Sequence, residues 1–317
     1  MLAGLSLVAG AATRSRLTVL IFHRVLPAKD PLRPDEPSVG QFAWQMRLLR
    51  EHFQPLPLLE AVQRLKGGSL PSRAVCVTFD DGYADNAQCA MPVLKRYAIP
   101  ATVFVSTGFL NGGRMFNDTV IEAIRGLSGD YIDLRDQGLE RYPIATTSDR
   151  LASIAAILRG IKHLDPARRQ AVADVMEARG NTLPGDLMMT DREVQSLVAN
   201  GLDVGAHTVH HPILSSVDAA VAQAEISDSK AQLETLLQQD VHLFAYPNGR
   251  PAIDYQDEHR SMVKNSGFLA AVSTHWGAAT NESDPYQLPR FTPWDRTTAR
   301  FAARLLLNYR SGDSLVG

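Results

Sequence analysis

The sequence predicts an α/β fold of parallel strands joined by crossover helices, on three observations. Short apolar, β-branched runs recur along the chain, stretches with apolar residues at three-to-four spacing lie between them, and each run is followed by a polar loop. The first run, 17–22, reads as a strand, and 41–53 and 58–65 read as the helices after it. A second strand at 74–79 is followed by a helix at 84–97, and a third strand falls at 101–106. Thr190-Asp191-Arg192-Glu193 is a capping box, in which the Thr190 and Glu193 side chains can satisfy each other's free amides; it starts a helix that ends near Asn200. That helix feeds a strand at 202–206, followed by a long helix at 219–239, strands at 242–246 and 268–273, and a closing helix at 296–309. Residues 111–189 interrupt the rhythm with helix-like, Arg- and Ala-rich sequence, including 151–163 and 166–179. The expectation is therefore a single domain over 1–317 with 111–189 as a mainly helical insertion.

Composition narrows the class. With 317 residues, 45% of them hydrophobic and 21% charged, the chain can bury a large core. A net charge of -2 argues against a chain-wide grip on nucleic acid or anionic lipid, so a neutral substrate fits better. The two cysteines, Cys76 and Cys89, form no CxxC or zinc-ribbon spacing and read as small hydrophobes. The opening stretch, 1–17, has a short apolar part and an Ala-Ala pair but no Lys or Arg before it. It resembles a weak signal peptide, and an opening helix packed on the domain explains it equally well; the expectation is a protein in the cytoplasm or peripheral to the inner membrane rather than secreted. No run of 18 apolar residues exists to span a membrane, and no GxGxxG or GxxxxGK[ST] phosphate loop is present.

Two loops carry the chemistry. Thr78-Phe79-Asp80-Asp81-Gly82-Tyr83 directly follows an apolar strand. Adjacent carboxylates where burial begins repel one another and need a cation, hydrogen bonds or raised pKa values; an Asp-Gly turn is the plainer account of the same residues. In an α/β barrel this end of a strand is where active sites assemble. The second loop, Gly205-Ala206-His207-Thr208-Val209-His210-His211-Pro212, also follows a strand and holds three of the nine histidines. Two imidazoles plus one carboxylate suit a borderline divalent metal and leave positions open for water and substrate. Spacing alone does not say which histidines bind. If the loop winds like a helical turn, His207 and His211 converge and His210 points elsewhere.

Together these loops resemble the hallmarks of the polysaccharide deacetylase, or NodB-homology, family: Thr-Phe-Asp-Asp-Gly and His-Ser/Thr-x-x-x-His, in that order. The resemblance implies an irregular or incomplete (β/α) barrel of about seven parallel strands, with Asp80 as catalytic base and Asp81, His207 and His211 as ligands of one divalent ion, zinc first, with cobalt, nickel or iron as alternatives. Phe244-Ala245-Tyr246-Pro247-Asn248-Gly249 resembles a third family loop, but Ala245 stands where relatives carry an arginine and Asn248 where they carry a tyrosine. Arg290, in Leu288-Pro289-Arg290-Phe291, is the candidate for the arginine beside the base. Ile21-Phe22-His23-Arg24-Val25 resembles the opening of the circularly permuted branch that contains biofilm poly-N-acetylglucosamine deacetylases, which makes His23 the favoured acid over His275. A backbone N–H near Tyr83 or Tyr246 is expected to serve the oxyanion, and Trp294, Phe291 and Tyr246 to line a sugar groove. The function implied is removal of N-acetyl groups from a saccharide. The alternatives are an O-acetyl esterase, an N-deformylase, or a carbohydrate-binding pseudoenzyme, the last favoured by the arginine missing at Ala245.

Overall fold

The computed structural model describes residues 13, 15–179 and 182–315. The opening helix expected over 1–17 lies almost wholly outside the described residues. Parallel strands β1 (Thr18–Phe22), β3 (Ala74–Phe79), β4 (Ala101–Val105), β7 (Asp203–Ala206), β8 (Leu243–Ala245) and β9 (Ala270–Val272) hydrogen-bond in that order. A two-residue strand, β2 (Gln54–Pro55), pairs with the start of β3 and completes a seven-stranded sheet. The sheet curls into an incomplete barrel. Its open side, between β9 and β1, is spanned by the segment 288–291, which makes one parallel bridge to each edge, Val272 with Leu288 and Leu20 with Phe291.

Period-two alternation sorts the strand residues between two cores. Leu20, Phe22, Val75, Val77, Phe79, Val103, Val105, Phe244 and Tyr246 pack outward against helices α1 (Val39–His52), α7 (Asp191–Ala199), α8 (Ala219–Leu237) and, beyond α9 (Asp257–Asn265) in the chain, α10 (Thr298–Ser311). Leu17, Val19, Ala74, Cys76, Phe104, Leu243, Ala245, Ala270, Val272 and Leu288 fill the barrel, closed below by Leu58, Ala61, Val62 and Leu65 of α2 (Leu58–Lys66). Gly205 is required here, because a Cβ at that position would lie 2.5 Å from the Phe104 ring.

Two elements differ from the sequence expectation. The helix expected at 84–97 begins as a π-turn, Asn86–Ala90, and becomes α3 (Met91–Tyr97) only at Met91, just before Pro92, which has no N–H to donate to the turn before it. Residues 111–189 hold helices α4 (Phe116–Gly126), α5 (Thr147–Ile161) and α6 (Pro166–Arg179), but also an antiparallel hairpin, β5 (Tyr131–Asp133) with β6 (Arg141–Pro143), whose three-residue strands are too short to show a period. These elements share a core of their own around Val120, Ile124, Ile132, Ile157 and Met176. The Thr190 capping box forms as read, with both reciprocal bonds present. Among the described residues no helix is long and apolar enough to cross a membrane.

Candidate active site

The alternation that fills the barrel also aims the site. Ala74 and Cys76 point inward, so Thr78 and Asp80, two and four residues on, do the same at the carboxyl end of β3. Asp80 is 2% exposed and its peptide N–H donates to the Phe22 carbonyl at 3.0 Å. Leu288 points inward as well, and so does Arg290. The Arg290 guanidinium is fully buried and grips Asp80 through two bonds of 2.7 Å, with a third of 3.2 Å to the Thr78 hydroxyl and a fourth of 2.8 Å from Nε to the Ser273 carbonyl. Burial alone raises the Asp80 pKa; the Arg290 charge outweighs that and holds it below the ordinary carboxylate value.

Asp81 takes a left-handed conformation, φ 77°, and Gly82 follows at φ 90°, so the Asp-Gly turn and the functional loop are the same object. The turn aims the Asp81 carboxylate at the histidine loop, where His207 Nε2 approaches Oδ1 at 3.5 Å and His211 Nε2 at 3.4 Å. Oδ1 is buried and has no hydrogen-bond partner. His207 Nδ1 lies 2.7 Å from the Ala245 carbonyl, which can only accept, so the ring carries its proton there and presents a bare Nε2 to Asp81. Burial pushes His211 down to about 4, which keeps that imidazole neutral at pH 7. Burial raises the Asp81 pKa, but interaction with the imidazoles outweighs it, and the carboxyl stays ionised.

Three metal-donor atoms thus gather within 4.8 Å of one another around an unsatisfied buried oxygen. That donor set fits a divalent cation of the zinc type. The convergence of His207 and His211 does not use a helical turn. It uses two left-handed residues, Thr208 at φ 63° and His211 at φ 53°, and His210 is turned outward.

His23 follows β1 and opens into the cleft. Its carbonyl accepts from Asn86 Nδ2 at 2.9 Å, and the next two residues are tied to Asp85, Arg24 through Nε at 2.7 Å and Val25 through its N–H at 3.0 Å. Enclosure lowers the His23 pKa, but the carboxylates of Asp81, Asp80 and Glu36 outweigh it and the net shift is upward. His275, the rival acid, is not free. Its Nδ1 lies 2.5 Å from Ser273 Oγ and its Nε2 2.8 Å from Asp313 Oδ1. Its carbonyl accepts the Arg290 N–H at 3.0 Å, so His275 helps to seat the arginine and does not face the cleft.

Two of the expected groove contacts, Tyr246 and Phe291, are corrected. Tyr246 is fully buried, stacked on Tyr255 at 3.8 Å, with its hydroxyl on the Tyr286 carbonyl and its N–H on Val272. The Tyr83 hydroxyl is bound to Asp118 at 2.9 Å and the Arg24 guanidinium covers its ring at 4.5 Å, contacts of the side chain that leave the expected role of a backbone N–H near it as it stands. Phe291 is fully buried. Trp294, by contrast, is 46% exposed and lines a cavity of about 530 Å³ together with His23. A second cavity of about 290 Å³ continues on the other side of His23 and is lined by Asp81, Tyr83 and Asn117.

Sequence reading missed Asp85, Asn86 and Asp118. The first two lie four and five residues beyond Asp81, and their carboxylate and amide so close to the paired aspartates were the available signal. Asp118 is buried and paired with Arg33 at 2.8 Å, which ties the 111–189 segment to the wall of the cleft.

With this geometry in hand, comparison with known proteins is specific. A family model described as "Polysaccharide deacetylase" matches residues 67–156 and 169–271, more than half of the chain. The YxkH protein of Bacillus subtilis (strain 168), a provisionally named polysaccharide deacetylase, is 23% identical over 278 residues, 87% of this chain and 71% of its own. The poly-beta-1,6-N-acetyl-D-glucosamine N-deacetylase of Staphylococcus aureus (strain MSSA476) is 37% identical over 81 residues, 25% of this chain and 28% of that enzyme. The Streptococcus pyogenes deacetylase PplD, solved in complex with acetate, superposes with a TM-score of 0.62 at 20% identity, covering 92% of this chain and 98% of that one.

Proposed function

This chain belongs to the polysaccharide deacetylase family and is a carbohydrate deacetylase, and on that premise we propose that it removes N-acetyl groups from an N-acetylated polysaccharide, oligosaccharide or glycoconjugate in a metal-dependent hydrolysis. One observation carries the reading: a buried aspartate clamped by an arginine stands directly beside a cluster of three metal-donor atoms, at the carboxyl end of a barrel. The partial likeness to the staphylococcal enzyme favours a polymer of N-acetylglucosamine.

Asp81, His207 and His211 would hold the divalent ion, zinc first, and when bound it would lower the pKa of water toward ~7 and polarise the acetamide carbonyl. Asp80 is the base. Arg290 keeps it ionised and fixed in direction, so it takes a proton as water attacks the carbonyl carbon. His23, favoured as imidazolium by the surrounding carboxylates, gives a proton to the nitrogen as the C–N bond breaks, releasing acetate and a free amine. Trp294 offers an exposed apolar surface in the same cavity for a pyranose ring. The lack of an arginine at Ala245 ceases to favour a pseudoenzyme, because Arg290 reaches the base from the segment that spans the open side of the barrel.

The test is acetate release from N-acetylated, O-acetylated and N-formylated saccharides with Zn, Co, Ni and Fe supplied in turn. Acetate from N-acetyl substrates, lost on chelation, is expected. Turnover confined to the esters would sink the amide reading, and turnover indifferent to chelators would sink the metal.

A further inference from the structure

The metal-binding reading uses two of the three histidines in the loop after β7 and leaves His210 with no role. His210 Nδ1 lies 2.8 Å from Glu225 Oε1, while Glu225 Oε2 accepts the peptide N–H groups of Val209 at 2.8 Å and His210 at 2.7 Å. These two peptide groups sit between Thr208 and His211, the two residues with left-handed backbone. A β-branched threonine is rarely found there, and such a conformation persists only where the surroundings over-determine it. The carbonyls of the same loop are taken from the other side by the end of β4: Ser106 Oγ donates to the His207 carbonyl at 2.9 Å, Thr107 N–H to Thr208 at 3.3 Å and Gly108 N–H to Val209 at 2.9 Å. A Cβ at Gly108 would lie 2.8 Å from the Val209 carbonyl, so the approach is as close as a backbone allows. Glu225 is only 11% exposed, and it projects from α8 beside Ala222 and Ile226, which are buried in the core. The amides of the loop are therefore held from a rigid element.

We propose that Glu225 is a positioning residue of the metal loop: its carboxylate pins the Val209 and His210 amides so that Nε2 of His207 and of His211 converge on Asp81, and the His210 ring orients that carboxylate. The proposal rests on the metal reading above. Without Glu225 the two left-handed residues relax and the histidines part, so the affinity for metal falls while the site keeps its ligands.

Zinc affinity measured by competition with a chromophoric chelator tests this, with near-UV circular dichroism of the metal-free proteins as the check on folding. Glu225→Ala is expected to weaken zinc binding by about 10- to 100-fold at unchanged stoichiometry, as loss of an outer-shell partner does elsewhere. Glu225→Gln keeps an oxygen for the two amides and is expected to recover most of that loss. His210→Ala, which leaves the amide bonds in place, is expected to weaken binding less than Glu225→Ala does. If Glu225→Ala fails to fold, His210→Ala decides the matter, because Glu225→Gln is expected to bind nearly as the parent does, and parent-like affinity in His210→Ala then overturns the proposal. Parent-like affinity in a folded Glu225→Ala protein overturns it alone. A parent protein that takes up no stoichiometric zinc, or takes it up equally after Asp81→Asn, overturns the metal reading and this proposal together.

Discussion

Asp80 and Asp81 are neighbours in the chain and both are buried, yet they meet opposite partners. Asp80 is satisfied from within the protein, by a fully buried guanidinium that spends its Nε and both terminal nitrogens on Asp80, Thr78 and Ser273. Asp81 faces two imidazoles, one of them with a bare Nε2 toward it, and has an oxygen with no donor at all. One corner is closed and preorganised, and the other has the donors to be completed by a cation, as the proposed function has it. Placing base and metal site on consecutive residues of a strand end keeps both charges at fixed separation, and the left-handed φ of Asp81 is what divides them.

The comparison breaks hardest at Asp80. Asp80→Asn keeps the shape and the metal ligands but removes the proton acceptor, and a fall in acetate release of about 10²- to 10⁴-fold with parent metal content is expected. Parent-rate turnover in that variant would show that the base is elsewhere. On the other corner, His207→Ala is expected to deplete the metal, measured by elemental analysis, and to lose activity with it. Arg290→Met probes stability instead. It strands a buried carboxylate, so unfolding free energy from denaturant titration is expected to drop by about 3–5 kcal/mol, and Asp80→Asn combined with it is expected to recover part of that loss. If Arg290→Met costs no more than an exposed substitution, the pair is not what satisfies Asp80.

His23 and His275 sharpen the same contrast. His23 opens to the cleft, whereas both ring nitrogens of His275 are engaged and its carbonyl holds the arginine. His23→Ala is therefore expected to lower kcat by about 10²-fold or more with little change in thermal stability. His275→Ala is expected to lower stability first, and activity only as far as Arg290 shifts. The reverse pattern would exchange their roles.

Much of this was readable before any coordinates. The paired aspartates and the His207/His211 loop are short-range patterns, and their strands announce themselves by composition. Arg290 was readable only as a candidate. It lies 210 residues from Asp80, on a segment joined to each barrel edge by a single bridge, and such a segment leaves no periodic trace. Tyr246 was misplaced by its chemistry, although parity held the answer: it shares a strand face with Phe244, which packs on helices, while Ala245 faces the barrel. Glu225 could not be singled out, since one more charged residue on a long polar-faced helix carries no mark of what lies opposite. Local spacing encodes what neighbours do together; side chains that meet through barrel closure or helix packing become visible only once the sheet is curled.

The smallest expected effect lies in the pH dependence, and it tests whether the carboxylates around His23 set its protonation. As the acid, His23 must carry its proton, so the rate falls as pH rises through its pKa. The pull of Asp81, Asp80 and Glu36 outweighs the loss of solvation and puts that alkaline limb above the ordinary value of 6.5. Asp80 must be ionised, and Arg290 outweighs its burial, so its limb lies on the acid side of the ordinary 3.8. A bound cation opposes the pull of Asp81 on His23, and the informative quantity is therefore a difference between variants carrying the same metal. Glu36→Gln removes one negative charge from the wall that both cavities share and is expected to move the alkaline limb of kcat toward lower pH, leaving the acid limb and the plateau rate in place. Asp35→Asn, at a side chain 95% exposed and screened by solvent, is expected to move neither. An alkaline limb that ignores Glu36→Gln and vanishes only with a change of metal would belong to the metal site, and the division between the two corners would then leave His23 out of the proton transfer.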